Sequence, residues 1–169
     1  MRAAPAFESV IDPDNDSFLL PPKMPQAIAE YCRKTGQPVP TTPGSTVRAA
    51  LEGLALRYRW VLERLEELTG RRLDTIHVVG GGSQNTLLCQ LTADACNRTV
   101  VAGPVEATAI GNVMVQMIGL GLIANLAQAR ELVRESFEVR AFEPQQPSRW
   151  DEPYRRFLSA VTPPSRRTS

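Results

Sequence analysis

Apolar residues recur at spacings of three and four through Val47, Leu51, Leu54, Tyr58, Val61, Leu62, Leu65 and Leu68. This is the period of one helix face, so a long amphipathic helix is predicted over 43–69, with Gly70 placed to end it. The period then changes. Residues 75–79 form a short β-branched run that stops at three glycines, as a buried parallel strand does. Helical spacing returns over 83–97 through Leu87, Leu88, Leu91 and Ala95, and a second strand is predicted over 99–102. Helices follow over 107–119 and 125–136, then an extended piece over 137–142 and a last helix over 150–161.

Strand, helix, strand, helix is the alternation of a parallel α/β sheet with right-handed crossovers. The expected architecture is therefore a helix-rich α/β domain with a small parallel sheet over 43–161. A loop-rich lead-in over 1–42, with one short helix at 25–34, precedes it, and a disordered tail over 162–169 follows. Two or three short strands leave both sheet edges close to the core. The chain is thus expected to be part of something larger or to complete its sheet with another chain. A homodimer formed through the strand at 75–79 is one expected remedy, and the lead-in folding across the gap is the other.

With 43% hydrophobic residues in 169, the chain can bury one core of ordinary size. A formal charge of +1 supplies no field for nucleic acid or for an anionic membrane. No stretch is apolar for long enough to span a bilayer, and the start lacks the apolar centre of a signal peptide, so a cytoplasmic protein is expected. Cys32, Cys89 and Cys96 form no metal-type pair and are read as reduced, buried hydrophobes.

Candidate chemistry centres on Gly80-Gly81-Gly82-Ser83-Gln84-Asn85. A strand that ends in glycines and turns into a helix sets bare backbone beside unpaired amides, and the helix start adds roughly half a positive charge. Such a turn suits phosphate. Ser83 is placed to cap the helix, and Asn85 can donate and accept, as reading an adenine edge requires. A dinucleotide fingerprint fits less well, because Asn85 takes the place of its third glycine and Glu106 falls in a turn that opens a helix. His77, alone in a strand, is read as a packing or edge residue, and Asp12, Asp14 and Asp16 as solvated turn residues without the rest of a calcium loop. Glu63, Glu66 and Glu67, near Arg64 and Arg57, are read as the outer face of the long helix, and Trp60 and Trp150 as packing anchors. No catalytic residue and no metal ligand is assigned.

The run VVGGGSQNTLLCQLTADACNRTVVAGPVEATAIGN, from Val78 to Asn112, closely resembles the carboxy-terminal domain of FGGY carbohydrate kinases. The family's GG[GSA]xxN turn, L-x-Q-x-x-A-D helix and E-A-x-x-x-G helix start correspond to Gly80–Asn85, to Leu88, Gln90, Ala93 and Asp94, and to Glu106–Gly111. The DAC and AGPVEA segments, with the upstream FESVIDPDNDSFLLPP, resemble the rhamnulokinase branch. The resemblance implies part of the carboxy-terminal lobe of an actin/hexokinase-like, ribonuclease H-like ATPase fold. It implies ATP with Mg and a ketose sugar as ligands of the whole kinase, the ketose being L-rhamnulose or else fuculose or xylulose. Gly81, with Gly80 and Gly82, would then lie against the ribose and α-phosphate, and Asn85 would face the adenine. Glu106 and Gly111 would be structural, the glycine allowing close helix packing. The family's D-x-G-[TS] phosphate loop and general base lie in an amino-terminal lobe, and no such loop occurs in these residues. A kinase fragment inactive by itself is therefore expected, with a non-catalytic nucleotide-binding or interaction module as the alternative.

Overall fold

Helix α2, Pro43–Thr69, starts at a reciprocal cap in the computed structural model, which describes residues 4–161. Thr42 Oγ1 accepts the Ser45 N–H at 3.1 Å, and Ser45 Oγ accepts the Thr42 N–H at 3.0 Å. A proline in the first turn adds a fixed φ, and Gly70 ends the helix in the left-handed region at φ 63°. The tail expected to be disordered from Thr162 onward lies outside the described residues.

Around this helix stand α1 (Met24–Lys34), β1 (Thr75–Val78), α3 (Thr86–Cys96), β2 (Thr99–Ala102), α4 (Ala107–Gly119), α5 (Leu126–Ser136), β3 (Arg140–Phe142) and α6 (Asp151–Val161). Strands β1 and β2 pair in parallel, Thr75 opposite Thr99 and Val78 opposite Ala102, with α3 as the crossover. The sheet is mixed, where a parallel one was expected: β3 pairs antiparallel on the far side of β2, Val100 opposite Phe142. Two helices, α4 and α5, separate β2 from β3. A second helix turns the chain round once more, so it re-enters the sheet in the opposite sense.

Helix α3 is the middle layer. Its Cys89 and Ala93 pack on Val100 and Ala102 of β2, while Leu91 and Ala95 join Leu51, Ala55 and Leu56 of α2 and Trp150, Tyr154 and Phe157 near the carboxyl end. All three cysteines are buried and free. Burial pushes their thiols up, that of Cys96 to about 12, so they act as small hydrophobes.

The lead-in is a strap laid along α2. Gln37 accepts the Val10 N–H at 2.7 Å and donates to Val10 O at 2.9 Å, much as a strand partner would. Ile11 and Val10 are buried in two adjoining core clusters. Asp12 is buried as well, contrary to its reading as a solvated residue: its carboxylate holds the Arg57 guanidinium at 2.7 Å, and Asp14 meets the same arginine at 2.9 Å. Arg57 in turn lies 4.9 Å over the Trp60 ring, so it belongs to the core side of α2 and not to its outer face. Two glutamates of that expected outer face also have structural work. Glu66 accepts the Leu73 N–H at 2.8 Å and pairs with Arg98 at 2.9 Å, which holds its carboxyl below the usual range, and Glu63 accepts the Tyr154 hydroxyl. The motif residues Gln90 and Asp94 pin the stretch after β3: Gln90 donates to Glu143 O at 2.9 Å, and Asp94 accepts the Gln145 N–H at 2.6 Å.

The strap approaches α2 so closely at Gly53 that an added Cβ would stand 2.7 Å from Ile11 O. Overpacking of this kind costs about 1–3 kcal/mol, against the ~1 kcal/mol alanine gains over glycine in a helix. Gly53→Ala is therefore expected to lower the denaturant midpoint with the slope unchanged, and a midpoint at or above wild type would show that the strap lifts freely.

The preceding residue, Glu52, 2% exposed, accepts the Phe7 N–H at 2.9 Å and pairs with Arg48 at 2.7 Å. Burial raises its carboxyl above the usual range despite these donors. The folded chain then binds this proton more tightly than the unfolded one. The resulting stability is full below the unfolded value, about pH 4, and is lost as pH rises through the folded one. Stability measured for wild type minus that for Glu52→Gln is expected to shrink from about pH 4 to neutrality. A difference that widens would mean that Arg48 outweighs burial.

Candidate functional site

Because β1 and β2 are parallel, their carboxyl ends emerge side by side, and the two loops that follow form one rim. The pairing continues past the strands: Gly103 N–H donates to Val78 O at 2.8 Å, and Gly80 N–H donates to Pro104 O at 3.2 Å. Residues Gly80–Gln84 then coil into a 3-10 turn, and α3 begins. Helix α4 begins from the other loop, so two helix amino termini open on the same side. The glycine turn was legible in the sequence, but its partner, the loop 103–106, was read only as a helix start. Gly103 directly after β2 was the available signal, since a Cβ there would come within 3.2 Å of Val79.

The glycines of the turn differ in what demands them. Gly80 has φ +74°, which side-chain-bearing residues rarely adopt. Gly82 would place a Cβ at an ordinary 3.7 Å from Val78. Gly81 has neither constraint: its φ is ordinary, and a Cβ would meet nothing within 4 Å. The bare backbone at Gly81 faces open space.

Ser83 does not cap α3. It is buried, and its hydroxyl donates to Gly80 O at 2.7 Å, which closes the turn on itself. The cap is Asn85, whose Oδ1 accepts the Leu88 N–H at 3.1 Å. That bond orients the amide, turning Oδ1 toward the start of α3 and leaving the NH₂ without a partner in the helix, so Asn85, exposed at the rim, can donate to a ligand. Beside the turn, a cavity of about 340 Å³ lies between β1, α2 and α3, with Gly82, Tyr58, Ile76 and Leu88 in its wall.

Glu106 immediately precedes α4, exposed and without a side-chain capping bond, where its charge complements the helix start. Gly111 does not provide close helix packing within this chain, because a Cβ there would have no neighbour within 4 Å. His77 stands exposed on β1 in the wall of the cavity, away from Asp12 and Asp14, which are engaged with Arg57. Among the described residues no three histidine, cysteine or acidic side chains converge on a metal-sized site, and no helix is long and apolar enough to cross a membrane.

Comparison with known proteins bears on this rim. The family model "FGGY family of carbohydrate kinases, C-terminal domain" matches residues 1–120. The chain is 51% identical over 155 residues to a rhamnulokinase of Bacteroides thetaiotaomicron, covering 92% of this chain and 32% of that protein. It is 44% identical over 161 residues to a rhamnulokinase of Pectobacterium carotovorum subsp. carotovorum, covering 95% and 32%. The chain thus spans about a third of the length of these curated relatives. Among solved structures it resembles the xylulose kinase from Rhodospirillum rubrum, with a TM-score of 0.54 and 24% identity over 75% of this chain and 26% of that one. That likeness bears on the fold alone: a helix-rich α/β unit with a small mixed sheet. With the family model matching residues 1–120 of 169, this chain belongs to the FGGY family of carbohydrate kinases and carries sequence of its carboxy-terminal domain.

Proposed function

We propose that this chain forms the adenosine side of the ATP cleft in a kinase that transfers the γ-phosphoryl of ATP to the 1-hydroxyl of L-rhamnulose. The observation that carries the nucleotide reading is Gly81. Nothing in the chain's own backbone or packing requires a glycine there, and the space above it is open. A ribose and α-phosphate seated on that backbone supply the missing reason, and the amino termini of α3 and α4 favour the phosphate charge. Gly80 shapes the turn, Gly82 continues it, and Asn85 donates from its NH₂ to a ring nitrogen of adenine. Relatives at 51% and 44% identity named as rhamnulokinases favour rhamnulose over fuculose or xylulose.

Phosphoryl transfer rests on positioning the phosphates and taking a proton from the sugar hydroxyl. These residues contain no D-x-G-[TS] loop, and the glycine turn offers no base. The phosphate loop, the general base, the sugar contacts and the groups that meet Mg²⁺ are assigned to the portion of a full-length kinase that this chain does not span.

The purified chain is accordingly expected to release no ADP above background from ATP and L-rhamnulose in a coupled assay. Turnover in the ordinary enzyme range, about 1–1,000 per second, would overturn the division of labour. Calorimetry at millimolar ATP tests the site itself, since half a cleft gives weak affinity. Gly81→Val is expected to abolish binding while stability stays within about 0.5 kcal/mol of wild type, because the new side chain enters empty space. Equal affinity for wild type and variant would move the nucleotide elsewhere.

A further inference from the structure

Gly80 is held on both sides. Its N–H donates to Pro104 O at 3.2 Å across the rim, and its carbonyl accepts the Ser83 hydroxyl at 2.7 Å from within the turn. Ser83 is 8% exposed, and a buried hydroxyl needs an acceptor. It takes the Gly80 carbonyl and leaves the start of α3 to Asn85. That grip fixes the peptide between Gly80 and Gly81. Flipping a peptide turns only ψ of the residue before it and φ of the residue after it, and here both residues are glycines, for which few orientations are barred. Neither glycine has a side chain to choose between the two faces of the peptide, so the choice falls to a neighbour.

The 80–81 peptide is trans and planar, so its C=O and its N–H point in opposite directions. With the oxygen drawn to the buried hydroxyl, the Gly81 N–H points away from it, at the residue where an added Cβ would meet nothing within 4 Å. Among the described residues this amide donates to no acceptor, whereas the amides of Gly80 and Asn85 do. A hydrogen bond accepted at the carbonyl also polarises the peptide and strengthens its N–H as a donor. We propose that Ser83 is a positioning residue for nucleotide binding: through the Gly80 carbonyl, its hydroxyl sets the 80–81 peptide so that the Gly81 N–H is presented to the α-phosphate. This rests on the nucleotide seat proposed above, and it adds the side chain that aims the donor. Ser83 itself is buried and touches no ligand.

Amide NMR spectra of the full chain, with and without ADP, test the aim separately from the seat. In wild type, millimolar ADP is expected to shift the Gly81 amide. Ser83→Ala is expected to unfold cooperatively, to weaken ADP about tenfold, the scale of one hydrogen bond to a charged group, and to show microsecond-to-millisecond exchange at the Gly81 amide without ligand, where wild type shows none. The exchange is read with no nucleotide present, so it reports the grip on the peptide alone. If ADP shifts no amide from Gly80 to Asn85 in wild type, the nucleotide seat falls and the role of Ser83 with it. If wild type binds ADP at the turn and Ser83→Ala binds it equally, the seat stands and the positioning role is overturned. A variant that fails to fold, or that loses affinity with no exchange at Gly81, would make the hydroxyl a structural group only and would overturn the role as well.

Discussion

Two hydrogen bonds beyond the ends of the strands hold the rim together. Gly103 to Val78 and Gly80 to Pro104 extend the parallel pairing of β1 and β2 into the loops, so the glycine turn and the loop 103–106 cannot move independently. Both bonds run through backbone, and both need a glycine on one side, Gly80 for its positive φ and Gly103 for its clearance from Val79. Once the loops are joined, the starts of α3 and α4 are fixed relative to each other, and their dipoles add at one place. On the proposed function, a phosphate there would meet an arrangement formed in advance, with little left to order on binding.

Polar side chains at burial boundaries hold the rest of the chain around that rim. Asp94 ties the segment after β3 to the back of α3, Glu66 and Arg98 tie the entrance of β1 to the end of α2, and Asp12 with Arg57 ties the strap to the middle of α2. Each replaces lost water with specific donors, and each joins elements far apart in sequence. Removing one member leaves the other uncompensated, which at the nearly buried Arg57–Asp12 pair costs several kcal/mol even where the intact pair adds little net stability. These contacts position elements more than they strengthen the core.

Periodicity made the helices legible almost to the residue, because α2, α4 and α6 each follow a pattern that depends only on near neighbours. The glycine turn was legible for the same reason. What escaped the sequence depends on partners distant along the chain. Asp12 looks like a loop residue until Arg57 is beside it, and Glu66 looks like a surface residue until Arg98 and Leu73 reach it. Ser83 and Asn85 are both good caps, and only the extent of the 3-10 turn decides between them, giving the cap to Asn85 and burying Ser83. The antiparallel sense of β3 turned on α4 and α5 acting together as a return, which no local pattern announces.

The glycines divide by whether this chain explains them, and the division has meaning for function. Gly53 is explained by the strap, Gly70 and Gly80 by positive φ, and Gly103 by Val79. Gly81, Gly111 and Gly119 have no positive φ, and a Cβ at each would meet nothing within 4 Å. Gly111 sits in α4, the helix whose residues are all at least partly exposed although most are apolar, with Val115 66% exposed. A sequence that keeps an apolar helix and three bare backbone positions without using them internally is shaped by contacts outside itself. Gly81 lies in the rim, Gly111 in the first turns of the helix that leaves it, and Gly119 at that helix's far end. The part of the sequence that this chain's own packing does not explain therefore lies at the glycine turn and along α4, the surfaces that the proposed function turns toward a nucleotide and the rest of a kinase.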